Sequence, residues 1–277
     1  MSENPPPPLA GRDLLALRAD CGNCFGLCCV ALTFSVSADF AIDKDAGQPC
    51  PNLTPDSRCG IHDRLRSKGF QGCTVYDCFG AGQKLSQSTF EGQDWRQAPQ
   101  SAKRMFDLLP IMRQLHELLW YLTEASTLPQ ARALREQLGL ALDKTEKLTN
   151  ESPAVLARLD VGAHRAEVNV LLLRTSELVR ATSGRRKKDR RGADLIGAKL
   201  KGADLRGANF RGTYLIGADL RGADLRLADL IGADLRDADV RGADLGECIF
   251  LTQSQVNAAK GDDATKLPPA LARPGHW

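Results

Sequence analysis

The sequence predicts a protein of several modules: a cysteine-rich metal-binding segment, an α-helical middle bundle, and a short-period solenoid closed by a C-terminal helical cap. Three observations predict it. Residues 193–252 read as twelve consecutive five-residue phrases of the type Ala-Asp-Leu-Arg-Gly. Eight of the nine cysteines fall between Cys21 and Cys78. Between these two stretches, apolar residues recur at steps of three and four, which is the spacing of one helix face.

The repeats are centred on Leu195, Leu200, Leu205, Phe210, Leu215, Leu220, Leu225, Leu230, Leu235, Val240, Leu245 and Phe250, each with a small residue two positions earlier. A strict period of five fits neither a helix nor a half-buried strand, and it implies stacked turns. Centre and small residue then point inward in alternating large and small layers, with glycine at the corners. The pattern resembles the pentapeptide-repeat family. That resemblance implies a right-handed quadrilateral β-helix with four repeats per coil, hence three coils and a stub ~15 Å long at ~4.8 Å per layer. The same register stacks Ile196 on Ile216 and Arg236, Lys201 on Arg221 and Arg241, and Asp204 on Asp224 and Asp244. The charge ladders read as a solvated wall. The two isoleucines predict that one wall is covered by another part of the chain.

The cysteine-rich segment contains Cys21-Gly-Asn-Cys24, the pair Cys28-Cys29, Cys50-Pro-Asn-Leu53, Cys59-Gly-Ile-His62, and then Cys73 and Cys78. A two-residue gap lets a tight turn aim two sulfurs at one ion, and eight thiols within sixty residues would make an unusual apolar core. His62 is a candidate ligand through Cys59-x-x-His62, with a surface turn as the equal alternative. The segment resembles the zinc- or iron-chelating domains defined by a CxxCxxxCC motif, matched by Cys21, Cys24, Cys28 and Cys29. Cys50 to Leu53, Cys59 to Ile61, and Cys73 with Tyr76 match its later positions. The family's Arg-Pro before the closing cysteine is absent, since Leu65 follows Arg64, and this makes Cys78 an alternative ligand to Cys73. The resemblance implies zinc or an iron–sulfur cluster, and spacing does not choose between them.

The remaining elements follow in order. Residues 1–19 read as a proline-rich leader and a short helix, and residues 20–98 as the cysteine-rich domain. Within it the Gly, Gln and Ser stretch after Phe79 reads as a packed loop anchored by Phe90 and Trp95. Residues 99–182 form the helical domain. Met105, Leu108, Met112, Leu115, Leu119 and Leu122 mark a first helix that Pro110 kinks or begins. Leu134, Leu138 and Leu142 mark a second. Ser152-Pro153 starts a third, with a break at Gly162. Its apolar run from Val168 to Leu173 predicts burial on two sides, with a second subunit as one candidate cover. Residues 183–192 read as a basic, solvated linker. Residues 253–277 form the cap, in which a helix ends at Gly261 and Leu271 and Trp277 fold back over the solenoid end.

No apolar run is long enough to span a bilayer, and the first residues lack a signal-peptide pattern, so the reading is a cytoplasmic protein with no membrane partner. A formal net charge of +3 gives no strong pull on nucleic acid, and no aromatics interleave the basic run from Arg185 to Arg191. The expected function is a metal-binding scaffold that docks an unidentified protein partner. The alternative is an iron–sulfur-dependent redox or transfer enzyme, although HExxH, Gly-x-Ser-x-Gly, P-loop and dinucleotide motifs are all absent. Imitation of DNA, known for pentapeptide-repeat relatives, ranks lowest because three coils are short and the surface is mixed in sign.

Overall fold

The computed structural model describes residues 14–184 and 189–277. The proline-rich stretch and the basic positions 185–188 lie outside the described residues. Regular structure here is helical: α1 (Leu27–Ala31), α2 (Gln71–Val75), α3 (Ala81–Gln83), α4 (Pro99–Thr127), α5 (Arg135–Thr149), α6 (Pro153–Leu156), α7 (Val161–Ala181) and α8 (Gln253–Ala258). Helix α4 is the axis of the molecule, packing on α1 and α3 with one part of its length and on α5 and α7 with another.

The β-helix expected over the repeats is corrected. Among the described residues no β-strand or sheet forms, and each repeat contributes only a single bridging residue. The reason is local. A left-handed residue closes a turn at almost every fifth position, as at Gly197, Gly202 and Gly212, so the chain never stays extended for more than one pairing. What stacks is turn on turn with an offset of twenty residues: Asp194 pairs with Tyr214, Lys199 with Asp219 and Asp204 with Asp224. The centres pack inward as a dry column, with Phe210, Leu215, Leu220, Leu225 and Leu230 all fully buried.

The boundaries also move. Asp189 already bridges Asn209, and Gly192 donates to the Arg211 carbonyl at 2.9 Å, so the stack begins inside the segment read as linker. At the other end Lys260 pairs with Asp239 and Lys266 with Asp244, so the cap supplies rungs of its own. The covered wall is not the isoleucine column, since Ile196 is 57% exposed. The helices lie instead against the column of Asn209, Asp229 and Ile249, which are fully buried. There Arg211 pairs with Asp229 at 2.9 Å and reaches Asn169 of α7 at 2.5 Å.

In the helical region α4 runs unbroken through Pro110 and starts at Pro99, so Pro110 does not mark its beginning. The Ser152 cap holds only the short α6, and the break falls at residues 157–160, where Asp160 caps α7 through Ala163 N at 2.9 Å. Gly162 is inside the helix. Val168 and Leu172 are buried, whereas Val170 is 57% exposed. The stretch after Phe79, expected as a loop, is helical: α3 runs into a π-helical segment, Lys84–Thr89. Helix α8 ends at Ala258, three residues before Gly261, with Thr252 and Gln255 forming a capping box at its start. Gly261 serves another purpose. A Cβ there would sit 2.3 Å from Trp277, whose indole packs on this glycine and donates to the Ala259 carbonyl at 3.0 Å.

Candidate metal centre

The cysteine segment has little regular structure, and its chain path is fixed by turns and glycines. Asp20 accepts from Gly22 N at 2.9 Å and from the Asn23 side chain at 2.7 Å, shaping the turn that carries Cys21 and Cys24. Gly26 follows at φ 67, where any Cβ would meet Leu53 Cδ1 at 2.6 Å. The chain can therefore turn directly into α1, whose buried Leu27 and Val30 hold Cys28 and Cys29 in place. Cys50 N donates to the Cys29 carbonyl at 2.9 Å, which ties the second cysteine stretch to the first. Leu53 and Cys59 form an antiparallel bridge, and α2 supplies Cys73. Gly72 in α2 faces the Phe40 ring, which stacks on Phe34 at 4.3 Å.

The sulfurs fall into two neighbourhoods. Cys24 and Cys78 pack into the core made by Leu27, Ala81 and Leu85. Cys29, Cys50, Cys59 and Cys73 share a separate small core with Phe34, Leu65 and Phe70. Cys28 stands at the junction, with its sulfur 4.0 Å from that of Cys29 and within electrostatic reach of Cys21, Cys24, Cys59, Cys73 and Cys78. All eight are free thiols. Among the described residues, no three His, Cys, Asp or Glu side chains converge at coordinating distance. His62 is exposed, with its backbone N–H on the Cys59 carbonyl at 3.3 Å.

Burial favours the neutral form at Cys24, Cys73 and Cys78. It raises Cys24 to about 11, Cys73 to about 12 and Cys78 to about 11, with neighbouring thiolates adding to the rise in each case. At Cys28 the hydrogen bond with Cys29 comes first and burial second. A bound cation inverts this logic, because a coordinating thiol gives up its proton.

Three features test whether the pocket suits thiolate-held metal. A tetrahedral ion with ~2.3 Å metal–sulfur bonds separates its sulfurs by ~3.8 Å, close to the Cys28–Cys29 spacing. Gly82 is the second feature: a Cβ there would lie 2.7 Å from Cys24 Sγ and 3.9 Å from Cys78 Sγ, so the sulfurs occupy the space a side chain would take. The third is Tyr76, whose buried hydroxyl has no partner among the described residues and lies within electrostatic reach of Cys78 and Cys28. Such a donor suits a metal-bound thiolate. The residues present fit the group.

Sequence reasoning missed Lys44. Its side chain is 5% exposed and donates to the carbonyls of Val30, Asp45 and Gln48, at 3.1, 3.1 and 2.9 Å. The ammonium faces Cys50, Cys29 and Cys28 and would offset thiolate charge there, while burial lowers its own pKa. A lysine among turn residues carries no periodic signal, so only the fold reveals it. Phe90 and Trp95 are anchors: Phe90 is buried, and the Trp95 indole donates to the Phe25 carbonyl at 2.9 Å. The module is tied to the opposite end of the chain, since Arg66 donates to the Asn257 carbonyl at 2.5 Å and Asn257 to that of Thr74 at 3.1 Å.

Comparison with known proteins locates the repeats independently. The model of the family described as pentapeptide repeats matches residues 191–226 and 214–250, in eight copies. Solved pentapeptide repeat proteins are similar over part of the chain. Rfr23 of the cyanobacterium Cyanothece 51142 is 31% identical over 28% of this chain and 53% of its own, with a TM-score of 0.26. A thylakoid-lumen protein of Arabidopsis thaliana is 34% identical over 34% of this chain and 63% of its own, with a TM-score of 0.24. The chain thus spans roughly half to two thirds of these solved proteins. No helix of the described residues is long and apolar enough to cross a membrane. The uncharacterized protein YybG of Bacillus subtilis (strain 168) is 60% identical over 264 residues, covering 94% of this chain and 95% of YybG. With that much shared over nearly both full lengths, and with the repeats matched at 191–250, the chain is a pentapeptide-repeat protein of the same family as YybG.

Proposed function

We propose that this protein is a thiolate-held metal protein in which the N-terminal module binds zinc or an iron–sulfur cluster and the stacked repeats serve as a docking scaffold. The observation that supports the reading is that these free thiols fall into two small cores, Cys24 with Cys78 and Cys29 with Cys50, Cys59 and Cys73, with the Cys28 and Cys29 sulfurs 4.0 Å apart. The two neighbourhoods suggest one set of Cys21, Cys24, Cys28 and Cys78 and another of Cys29, Cys50, Cys59 and Cys73. Each has the four donors of a closed tetrahedral site or of one cluster. Binding would draw the sulfurs inward by side-chain rotation, with the Tyr76 hydroxyl and Lys44 ammonium supporting the negative sulfurs. When bound, zinc would supply rigidity, and a cluster would supply electron transfer.

The scaffold part of the reading rests on the walls of the stack. Pairs such as Asp224 with Arg226 at 2.6 Å and Asp239 with Arg241 at 2.6 Å cover them with alternating charge. That surface is suited to protein contacts and unsuited to imitating a uniformly anionic duplex. Metal and acid-labile sulfide analysis of protein purified without oxygen, with a visible spectrum, tests the metal reading. Two zinc ions per chain would support two structural sites. Iron with sulfide and absorption near ~400 nm would support the cluster. Metal-free protein with all eight thiols open to alkylation under native conditions would overturn both.

A further inference from the structure

A second site stands apart from the cysteines. Helix α4, the last turns of the stack and the C-terminal tail enclose a cavity of about 460 Å³, within the range of small-molecule pockets. We propose that this cavity binds a mainly apolar organic amine that carries an oxygen acceptor.

Its walls are apolar, formed by Leu128, Leu227, Leu251, Pro268, Leu271 and the Trp120 ring. Polar side chains interrupt them, Trp120, Gln130 and Glu124 on the side of α4 and Thr127 and Glu247 beside them. The Trp120 indole N–H and the Gln130 Oε1 are buried and have no hydrogen-bond partner among the described residues. One donor and one acceptor in this wall therefore carry a desolvation penalty, which a ligand would relieve by drawing the two side chains towards it. Glu124 also lines the cavity, and its Oε1 accepts from Phe250 N at 2.8 Å.

The charge balance selects the class of ligand. Among the described residues the charged members of the lining are Glu124 and Glu247, with no Lys or Arg, so an anion would meet no counter-charge from them. An ammonium would meet the Glu124 carboxylate, the Gln130 oxygen and an aromatic ring. The ligand's oxygen would accept from Trp120. Burial, with Asp229 nearby, pushes the Glu124 carboxyl up to about 8, so at neutral pH it is protonated until a cation arrives. Binding of an ammonium would then release that proton to solvent.

The sequence also bears a cost at this wall. Leu227 stands where most repeats carry glycine and adopts φ 61, a left-handed conformation that strains a non-glycine residue. The replacement places an apolar side chain on the cavity.

The test uses the full chain and three probes of similar size: tyramine, 2-phenylethylamine, which lacks the oxygen, and 4-ethylphenol, which lacks the amine. Calorimetric titration at pH 7 in two buffers of different ionisation heat gives affinity and proton release together. Tyramine is expected to bind about tenfold tighter than either analogue and to release close to one proton. Glu124→Gln should remove both the proton release and the preference for amine. Ala270→Trp, which fills the cavity from the tail, should weaken all three probes. Equal binding of 4-ethylphenol and tyramine, absence of proton release, or no tyramine binding at millimolar concentration would overturn the proposal. Should Glu124→Gln fail to fold, the probe ranking and proton count on the unmodified chain decide it.

Discussion

Glu124 makes the protein's stability depend on pH in a direction that can be worked out. Its ordinary pKa of 4.5 is raised to about 8 in the folded chain, mainly by burial. The unfolded chain gives up this proton as pH passes 4.5, while the folded chain holds it to about 8. The stabilisation is therefore fully present below pH 4.5 and is lost as pH rises towards 8. At ~1.4 kcal/mol per pH unit the whole window corresponds to about 5 kcal/mol. That is an upper limit, because an ionised Glu124 can be hydrated through the cavity it borders. Glu124→Gln keeps an oxygen for the Phe250 N–H and removes the titration. Urea unfolding of both proteins at pH 5, 6.5 and 8, followed by circular dichroism, isolates the effect, since other titrating groups cancel in the difference. The variant should gain about 2–3.5 kcal/mol on the parent between pH 5 and pH 8. A difference that stays flat within ~0.5 kcal/mol across that range would refute the burial argument for this carboxyl.

Further expectations concern the thiols and the covered wall. Cys24→Ser with Cys28→Ser should lose bound metal and loosen the cysteine module, while the circular dichroism transition of the helices and stack persists; unchanged metal content would show that these sulfurs are not ligands. Gly82→Ala places a methyl 2.7 Å from Cys24 Sγ and should lower metal content at least about twofold with little change in secondary structure, as read by elemental analysis. Asp229→Ala leaves Arg211 buried without its partner and should cost about 3–5 kcal/mol in urea unfolding. Replacing both residues, as Asp229→Leu with Arg211→Met, should cost less than that single change.

The legible and illegible parts of this chain differ by physical cause. The repeat was legible because its inward positions are set by a fixed five-residue period, and Phe210, Leu215 and Leu220 are buried where the period puts them. Its secondary structure was misjudged, because a period counts residues per side but does not say how long the chain remains extended between left-handed corners. The stripe on α4 was legible for the same reason as the repeat: Met105, Leu108, Met112 and Leu115 are all buried. Pro110 misled the reading of where that helix begins, since a lost N–H is tolerated inside a helix held by packing on both sides.

That one wall of the repeats is covered and that the tail folds back were legible, but the residues that join the helices to the stack were not, because no local pattern encodes them. The run Arg211, Asp229 and Asn169 joins the stack to α7 through three polar residues that look solvent-facing in the repeat register. Asn209 and Asp229 occupy the position that Asp219 and Asp239 hold on the opposite wall, and only the docking of the helices separates a buried pair from a surface one. The same holds for Arg66 on Asn257 and Arg18 on the Ala270 carbonyl, which tie the first part of the chain to the last. These contacts give the architecture a functional consequence. The cysteine module, α4 and the stack share one set of contacts, so the proposed metal site at Cys28 and the proposed cavity site at Glu124 would act on elements that α4 and α8 hold together. Binding at one site should then alter the other's affinity by a factor that is the same in both directions, and titrating tyramine against metal-loaded and metal-depleted protein would measure it.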